Sequence, residues 1–300
     1  MASEILKSIQ LTIVTPVALM AGRLQNLQKW IATIGDLSVE VILIHDKKDD
    51  QTGIELREIV KKCDDSKVVM IEGMYGGPGL ARNAGLAVAR GEWVCFWDSD
   101  DLPQVKDFFR MVEAAAASGS ECAVGGFTAV HDVTGESKVH QLSDQYLDQI
   151  ALNPGIWRFV FKRSTLKGLP FPSLLMAEDQ LFLANFGIPS RNIEVYPKSV
   201  YQYFVGENFH LTRSKDALSD LPTAVGYSFA IIRTLTRKNV RFASILLSRQ
   251  MITAVRTGGW ETRLQVSRIF LSGLKAMSVS LRLEILKCMW FVMWNRESII

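Results

Sequence analysis

Leu11 to Val17 reads LTIVTPV, a short apolar run rich in β-branched residues, and the period of the chain changes directly after it. In GRLQNLQKWIATIG the apolar positions Leu24, Leu27, Trp30, Ile31 and Ile34 return every three or four residues, which is helical spacing. The same switch repeats down the first hundred residues. VEVILIHD (Val39 to Asp46) predicts a second buried strand, and TGIELREIVKKC a helix with Ile54, Ile59 and Val60 facing inward. KVVMIEG predicts a third strand, GLARNAGLAVARG a helix ending at Gly91, and EWVCFW a fourth strand. Near-continuous apolar strands alternating with amphipathic helices predict an α/β domain with a mostly parallel, Rossmann-like sheet covered on both faces.

The pattern then loosens. PQVKDFFRMVEAAAASG predicts a helix, and ECAVGGFTAVHDVTGESKVHQL a strand, a turn at Thr134–Gly135 and a second strand, so the sheet ends as a mixed one. From about residue 226 the chain reads as helical throughout, with Arg and Lys interleaved among Ile, Leu, Met, Phe and Trp. No internal repeat or low-complexity linker is present.

Charge divides the chain in the same place. Residues 226–300 carry twelve Arg and Lys against three Asp and Glu, a net of +9 that leaves −6 for the first 225 residues of a chain whose total is +3. The expected organisation is therefore an α/β domain over residues 1–220 and a basic helical region over 221–300. Cys63, Cys95, Cys122 and Cys288 have no CxxC spacing, and three of them lie in apolar or helical contexts, so they read as buried thiols in a reducing compartment. The opening MASEILKSIQ lacks the charge and apolar pattern of a secretory signal, and no apolar run approaches a membrane span. These features lead to an expected cytoplasmic protein, not integral to a membrane.

One stretch breaks the pattern. In EWVCFWDSDD an apolar strand runs into Asp98, Asp100 and Asp101, three carboxylates in four residues. Like charges crowded beside a core repel, and a cation relieves them. In a parallel α/β sheet, ligands bind beyond the carboxyl ends of the strands, where these residues fall. Hard oxygen donors without His or Cys suit Mg²⁺ or Mn²⁺. The plainer alternative is an Asp-rich turn capping the next helix.

Two further segments decide between these. GGPGLARNAG (Gly76 to Gly85) together with EWVCFWDSDD, PFPSLLMAEDQLF (Pro170 to Phe182) and TIVTPV resembles, in order and spacing over residues 10 to about 215, the family 2 glycosyltransferases. The resemblance implies a GT-A fold and an inverting, metal-dependent transfer of sugar from a nucleotide diphosphate donor, a UDP-sugar foremost. It implies that Asp100 coordinates Mn²⁺ or Mg²⁺, that Asp98 helps orient the ribose and the cation, and that Ser99 lies on the nucleotide side. Thr15, Pro16, Asp46 and Arg82 match nucleotide-side positions, with an ion pair locking the loop to the sheet as the alternative for Arg82. Asp179 matches the base that takes the proton of the acceptor hydroxyl, with Glu178 orienting the acceptor or supporting the helix start. Trp157 matches an acceptor-side aromatic that stacks on a sugar face or packs in the core. His210 and Arg213 fall where members place metal or phosphate contacts. The chain departs from the pattern after the second strand: HDKKDDQT stands where Asp-Asp-Gly-Ser-x-Asp is usual, so His45 replaces an Asp and Lys47–Lys48 replace Gly-Ser. Lys47 and Lys48 read as solvated charges, and Asp50 as a loop cap or a contact.

The expected partners are a nucleotide-sugar donor and a saccharide acceptor, lipid-linked or free, in the building of a surface polysaccharide. Arg and Lys beside Trp290, Phe291 and Trp294 give residues 226–300 the look of a membrane-surface region on the inner face, a helical bundle being the alternative. No base-reading module is evident, so nucleic acid is not expected. Two other readings remain: a nucleotidyltransferase, which would want a basic Gly-rich loop after the first strand, and a non-catalytic sugar-nucleotide-binding assembly protein.

Overall fold

The computed structural model describes residues 10–63, 67–206 and 214–295. They form two compact units, one of Met1–Gln141, Trp157–Gly168 and Asn192–Val205, the other of Leu142–Ile156, Leu169–Arg191 and Gly206–Ile300.

The first unit holds the whole sheet. Its opening elements are β1 (Leu11–Val17), α1 (Gln25–Ile31), β2 (Val39–Asp46), α2 (Asp50–Val60), β3 (Val68–Gly73), α3 (Pro78–Val88) and β4 (Trp93–Phe96). The four strands run parallel in the order β3-β2-β1-β4, with Val14 opposite both Ile42 and Phe96. β4 is buried along its whole length as its unbroken apolar run requires, and β2 is too, with Glu40, His45 and Asp46 buried beside its apolar centre. Next come β5 (Leu102–Pro103), α4 (Val105–Ala117), β6 (Cys122–His131), β7 (Ser137–His140), β8 (Phe159–Lys162) and β9 (Ile193–Val205). β8 lies antiparallel between β4 and β6, β9 runs parallel to β6, β5 pairs with β9, and β7 hangs off β6. The sheet is thus mixed, as the loosened pattern after residue 104 implies.

Close packing sets the position of α3. A Cβ on Gly85 would stand 2.4 Å from Val14 Cγ1, so only glycine lets the helix lie this near β1. The inward face of α2 is Thr52, Gly53, Leu56 and Ile59, whereas Ile54 is half exposed. The expected Ile54 face is therefore corrected: Ile54 and Leu56 are two apart and cannot share a helix face, and the better-packed residue takes the core.

The second unit is helical: α5 (Tyr146–Leu152), α6 (Glu178–Phe186), α7 (Lys215–Ser219), α8 (Leu221–Thr234), α9 (Arg237–Thr257), α10 (Trp260–Lys275) and α11 (Val279–Trp294). α9 is its centre, with most of its residues buried, and α5, α6, α8, α10 and α11 pack on it. Arg241 of α9 grips Asp148 of α5 through two bonds of 3.0 and 2.7 Å and reaches Glu284 of α11 at 3.7 Å. Among the described residues no helix is long and apolar enough to cross a membrane.

Candidate active site

The parallel pairing brings the carboxyl ends of β1, β2 and β4 to one edge of the first unit's sheet. At that edge Thr15 is buried, and its hydroxyl makes no hydrogen bond within the described residues. Pro16 follows it, half buried. Asp46 is buried at the end of β2, where its Oδ1 accepts the Tyr75 amide at 2.9 Å and its Oδ2 lies 3.8 Å from Lys48 Nζ. Lys47 stands 3.6 Å from Glu72, so both lysines have carboxylate neighbours, though exposed pairs of this kind are worth little. His45 alternates to the other side of the strand. Its buried ring lies against Gly53 of α2, with Nδ1 3.5 Å from Glu72. Asp49, one residue before Asp50, caps α2 by accepting the Thr52 amide at 2.7 Å.

Gly76 has φ of +76°, which turns the loop into α3, and Pro78 opens that helix. Arg82 in its second turn is buried and donates from Nη2 to Asp98 Oδ1 at 2.9 Å. The ion pair considered for Arg82 is thus present, and its partner is the first carboxylate of DSDD.

Trp97, directly after β4, lies in the core with its ring edge-on to Trp30 and Phe108 at 5.1 and 5.0 Å. Asp98 is half exposed, Ser99 buried and Asp100 half buried. The Asp98 amide donates to the Tyr201 hydroxyl at 3.1 Å, and Asn26 Nδ2 donates to the Asp100 carbonyl at 2.7 Å. Burial, and after it the charge of Asp98, push the Asp100 carboxyl up to about 6. Asp101 is buried, and its Oδ1 accepts the Phe204 amide of β9 at 2.9 Å. Burial, then the charges of Asp100 and Asp98, hold its carboxyl well above the usual range. The helix-capping reading of Asp101 is overturned, because α4 begins after Gln104 with no side-chain cap. Asp101 instead ties the DSDD turn to β9.

Tyr201 and Tyr203, two apart on β9, face the same way, and Trp157 stacks on both with centroids at 4.5 and 5.3 Å. Phe127 meets its edge at 5.1 Å, and Trp157 is buried. Neither tyrosine nor Asn26 was singled out by sequence reasoning. The alternation in VYQYFV was the available signal for the tyrosines.

In the second unit, Glu178 and Asp179 are the first two residues of α6. The helix is entered through Ala177, a non-glycine residue at φ 66°, and Phe171 stacks on Phe182 at 4.2 Å to anchor the segment. Glu178 is buried, and Asp179, half buried, accepts the Gln180 amide at 2.7 Å. Both carboxylates sit where the helix dipole favours negative charge. The Asp220 carboxylate fixes the preceding Leu175 amide at 2.6 Å. His210 and Arg213 lie outside the described residues.

The carboxylates of β4 suit a hard divalent cation. Asp98 and Asp100 offer only oxygen donors, and burial, with the charge of Asp98 after it, already disfavours the ionised form of Asp100, a cost that a cation offsets. Among the described residues no group of three or more His, Cys, Asp or Glu is placed to hold a metal alone. The fit is therefore to a cation held by one or two carboxylates and completed by phosphate oxygens. A cavity of about 570 Å³ lies elsewhere, lined by Ile31, Ile34, Ile59, Lys67 and Val68 near the start of β3, and holds none of these residues.

Comparison with known proteins gives a consistent picture. The family described as Glycosyl transferase family 2 matches residues 17–180. The succinoglycan biosynthesis protein ExoO of Rhizobium meliloti is 30% identical over 191 residues, which cover 57% of this chain and 53% of that protein. The poly(ribitol-phosphate) beta-glucosyltransferase of Bacillus spizizenii is 27% identical over 175 residues, covering 55% of this chain and 27% of that protein. The chain thus spans about half, or less, of the relatives it matches. Residues 1–349 of S. aureus TarS, solved in complex with UDP-GlcNAc, superimpose with a TM-score of 0.73 at 18% identity, covering 94% of this chain and 90% of that one. That likeness establishes the fold.

Proposed function

The chain belongs to glycosyl transferase family 2, and on that footing we propose that it is an inverting glycosyltransferase of the GT-A fold that takes part in polysaccharide synthesis. The donor in this reading is a UDP-sugar and the acceptor a saccharide, lipid-linked or free. The observation that carries the proposal is the Asp98–Asp100 pair at the end of β4, with Arg82 bonded to Asp98, inside the matched segment. The name of the Bacillus spizizenii relative and the UDP-GlcNAc bound to TarS support the substrate classes.

Asp98 and Asp100 would hold Mn²⁺ or Mg²⁺, and the bound cation supplies positive charge against the diphosphate as it leaves. Asp46, with one oxygen fixed by the Tyr75 amide, would accept from the base, and Thr15 offers the ribose a hydroxyl whose hydrogen-bonding capacity is unused. Arg82 keeps Asp98 in one orientation before the donor arrives. Asp179 would take the proton from the acceptor hydroxyl. That oxygen then bonds to the anomeric carbon from the face opposite the nucleotide, the bond to the diphosphate oxygen breaks, and the configuration inverts.

Two variants test this together. With calorimetry over a panel of nucleotide sugars and Mn²⁺, Asp100→Asn is expected to abolish metal-dependent donor binding. Asp179→Asn should bind donor as the wild type does and lose transfer by roughly 10²- to 10⁴-fold. Equal donor affinity in Asp100→Asn and wild type would remove the cation from the reading. Failure of every nucleotide sugar to bind would remove the transferase itself.

A further inference from the structure

α11 is apolar on two opposite sides. Ile285, Cys288 and Val292 face α9 and are buried. Val279, Leu283, Leu286, Trp290, Met293 and Trp294 face outward, each between 48% and 71% exposed. From Val279 to Met293 the spacing is four, three, four and three residues, with Trp294 four after Trp290, and this makes a continuous stripe about 21 Å long at 1.5 Å per residue. The Trp290 and Trp294 rings lie 5.4 Å apart at its end. Single exposed apolar residues need no explanation, but an unbroken exposed stripe with paired tryptophans marks a surface that meets something.

We infer that this stripe is a docking surface for an anionic lipid bilayer, on which α11 lies flat. Charge selects the partner. Lys287 falls four residues after Leu283 and three before Trp290 and is exposed, so a basic residue edges the stripe. Arg282 on the other edge is half buried and donates to the carbonyls of Met277 and Lys275 at 2.9 and 2.7 Å. Arg268 and Lys275 of α10 are exposed as well. The acidic residues of the two helices are Glu261 and Glu284, and Glu284 is turned to Arg241. A second copy of the chain would bring the same +9 of residues 226–300 against itself, whereas an anionic headgroup layer complements it. At 16 residues α11 is short of the roughly 20 needed to span, so apolar face and tryptophans enter the interface and the buried face stays on α9. The inference goes beyond the proposed transfer, whose acceptor is lipid-linked or free, and is read out without any transfer chemistry.

Vesicle flotation of the full chain tests it, with phosphatidylglycerol-containing and pure phosphatidylcholine vesicles compared. Wild type is expected to float with the anionic vesicles only, and less at high salt. Trp290→Ser/Trp294→Ser should lower the partition coefficient by roughly tenfold or more, since it removes two side chains from the apolar phase. Lys287→Glu should weaken binding and its salt dependence together. Melting curves of these exposed-site variants should match wild type, and donor calorimetry on the same samples reports the sugar-nucleotide site independently. Absence of wild-type flotation, or equal flotation by the double tryptophan variant, overturns the inference. So does a dimer in sedimentation that the same variants split without any vesicle binding.

Discussion

Asp101 is the most deeply buried of the three carboxylates, and its Oδ1 accepts a backbone amide. Asp98 is half exposed and bonded to Arg82, and Asp100 is half buried. Asp101→Asn keeps an oxygen for the Phe204 amide and is expected to leave donor binding unchanged, unlike Asp100→Asn. A raised carboxyl in the fold holds its proton longer than the unfolded chain does. The unfolded chain therefore binds fewer protons above pH 4, and stability falls as pH rises from there toward the folded value. Urea titrations across pH should show this falling slope in wild type and a shallower one in Asp101→Asn. Ala177 carries a different load. A left-handed φ of 66° costs an L-residue roughly 1–2 kcal/mol, and a β-branched side chain more. Ala177→Val should lower stability by about 1–3 kcal/mol and slow transfer through Asp179, with donor affinity intact; Ala177→Gly should keep the turn.

Among the elements, α3 tests the packing argument most cleanly. Replacing a helical glycine by alanine ordinarily stabilises by about 1 kcal/mol. At Gly85 the new methyl meets Val14 at 2.4 Å, so Gly85→Ala is expected to destabilise by about 1–3 kcal/mol instead, read as a lower urea midpoint at constant slope. The elements themselves were largely legible: period and β-branching marked β1 to β4, and the Thr134–Gly135 turn separated β6 from β7. DSDD at the end of β4 was legible for the same reason, because an apolar run stopped against charge. Less could be read where partners are remote. FVFK carries no sign that β8 inserts antiparallel between β4 and β6. The inward face of α2 depends on which of several apolar residues packs better, and Asp101 looked like a cap because its true acceptor role lies 103 residues away.

At the scale of the molecule, contacts gather residues that the linear charge division at 220 separates. α5 and α6 belong with α8 and α9, although they precede β9 in the chain. A chain cut at residue 220 should therefore leave α6, with Glu178 and Asp179, without the helices it packs on. Limited proteolysis and a dye for exposed apolar surface should report α5 and α6 as unprotected in that fragment, which is expected to transfer no sugar. Point variants on exposed positions of α11 are for that reason the cleaner probe of the basic region.

The pairing of β6 with β9 also sets a timetable. On the ribosome β6 emerges with β7 as its hairpin partner, but its parallel neighbour, residues 193–205, is made only after α5, β8 and α6. Parallel pairing across such a separation is slow, because the intervening chain must first be confined. Tyr201 and Phe204, which fasten the DSDD turn, travel with that late strand. The four parallel strands β1 to β4 are complete about a hundred residues before the turn that ends them acquires its fastenings.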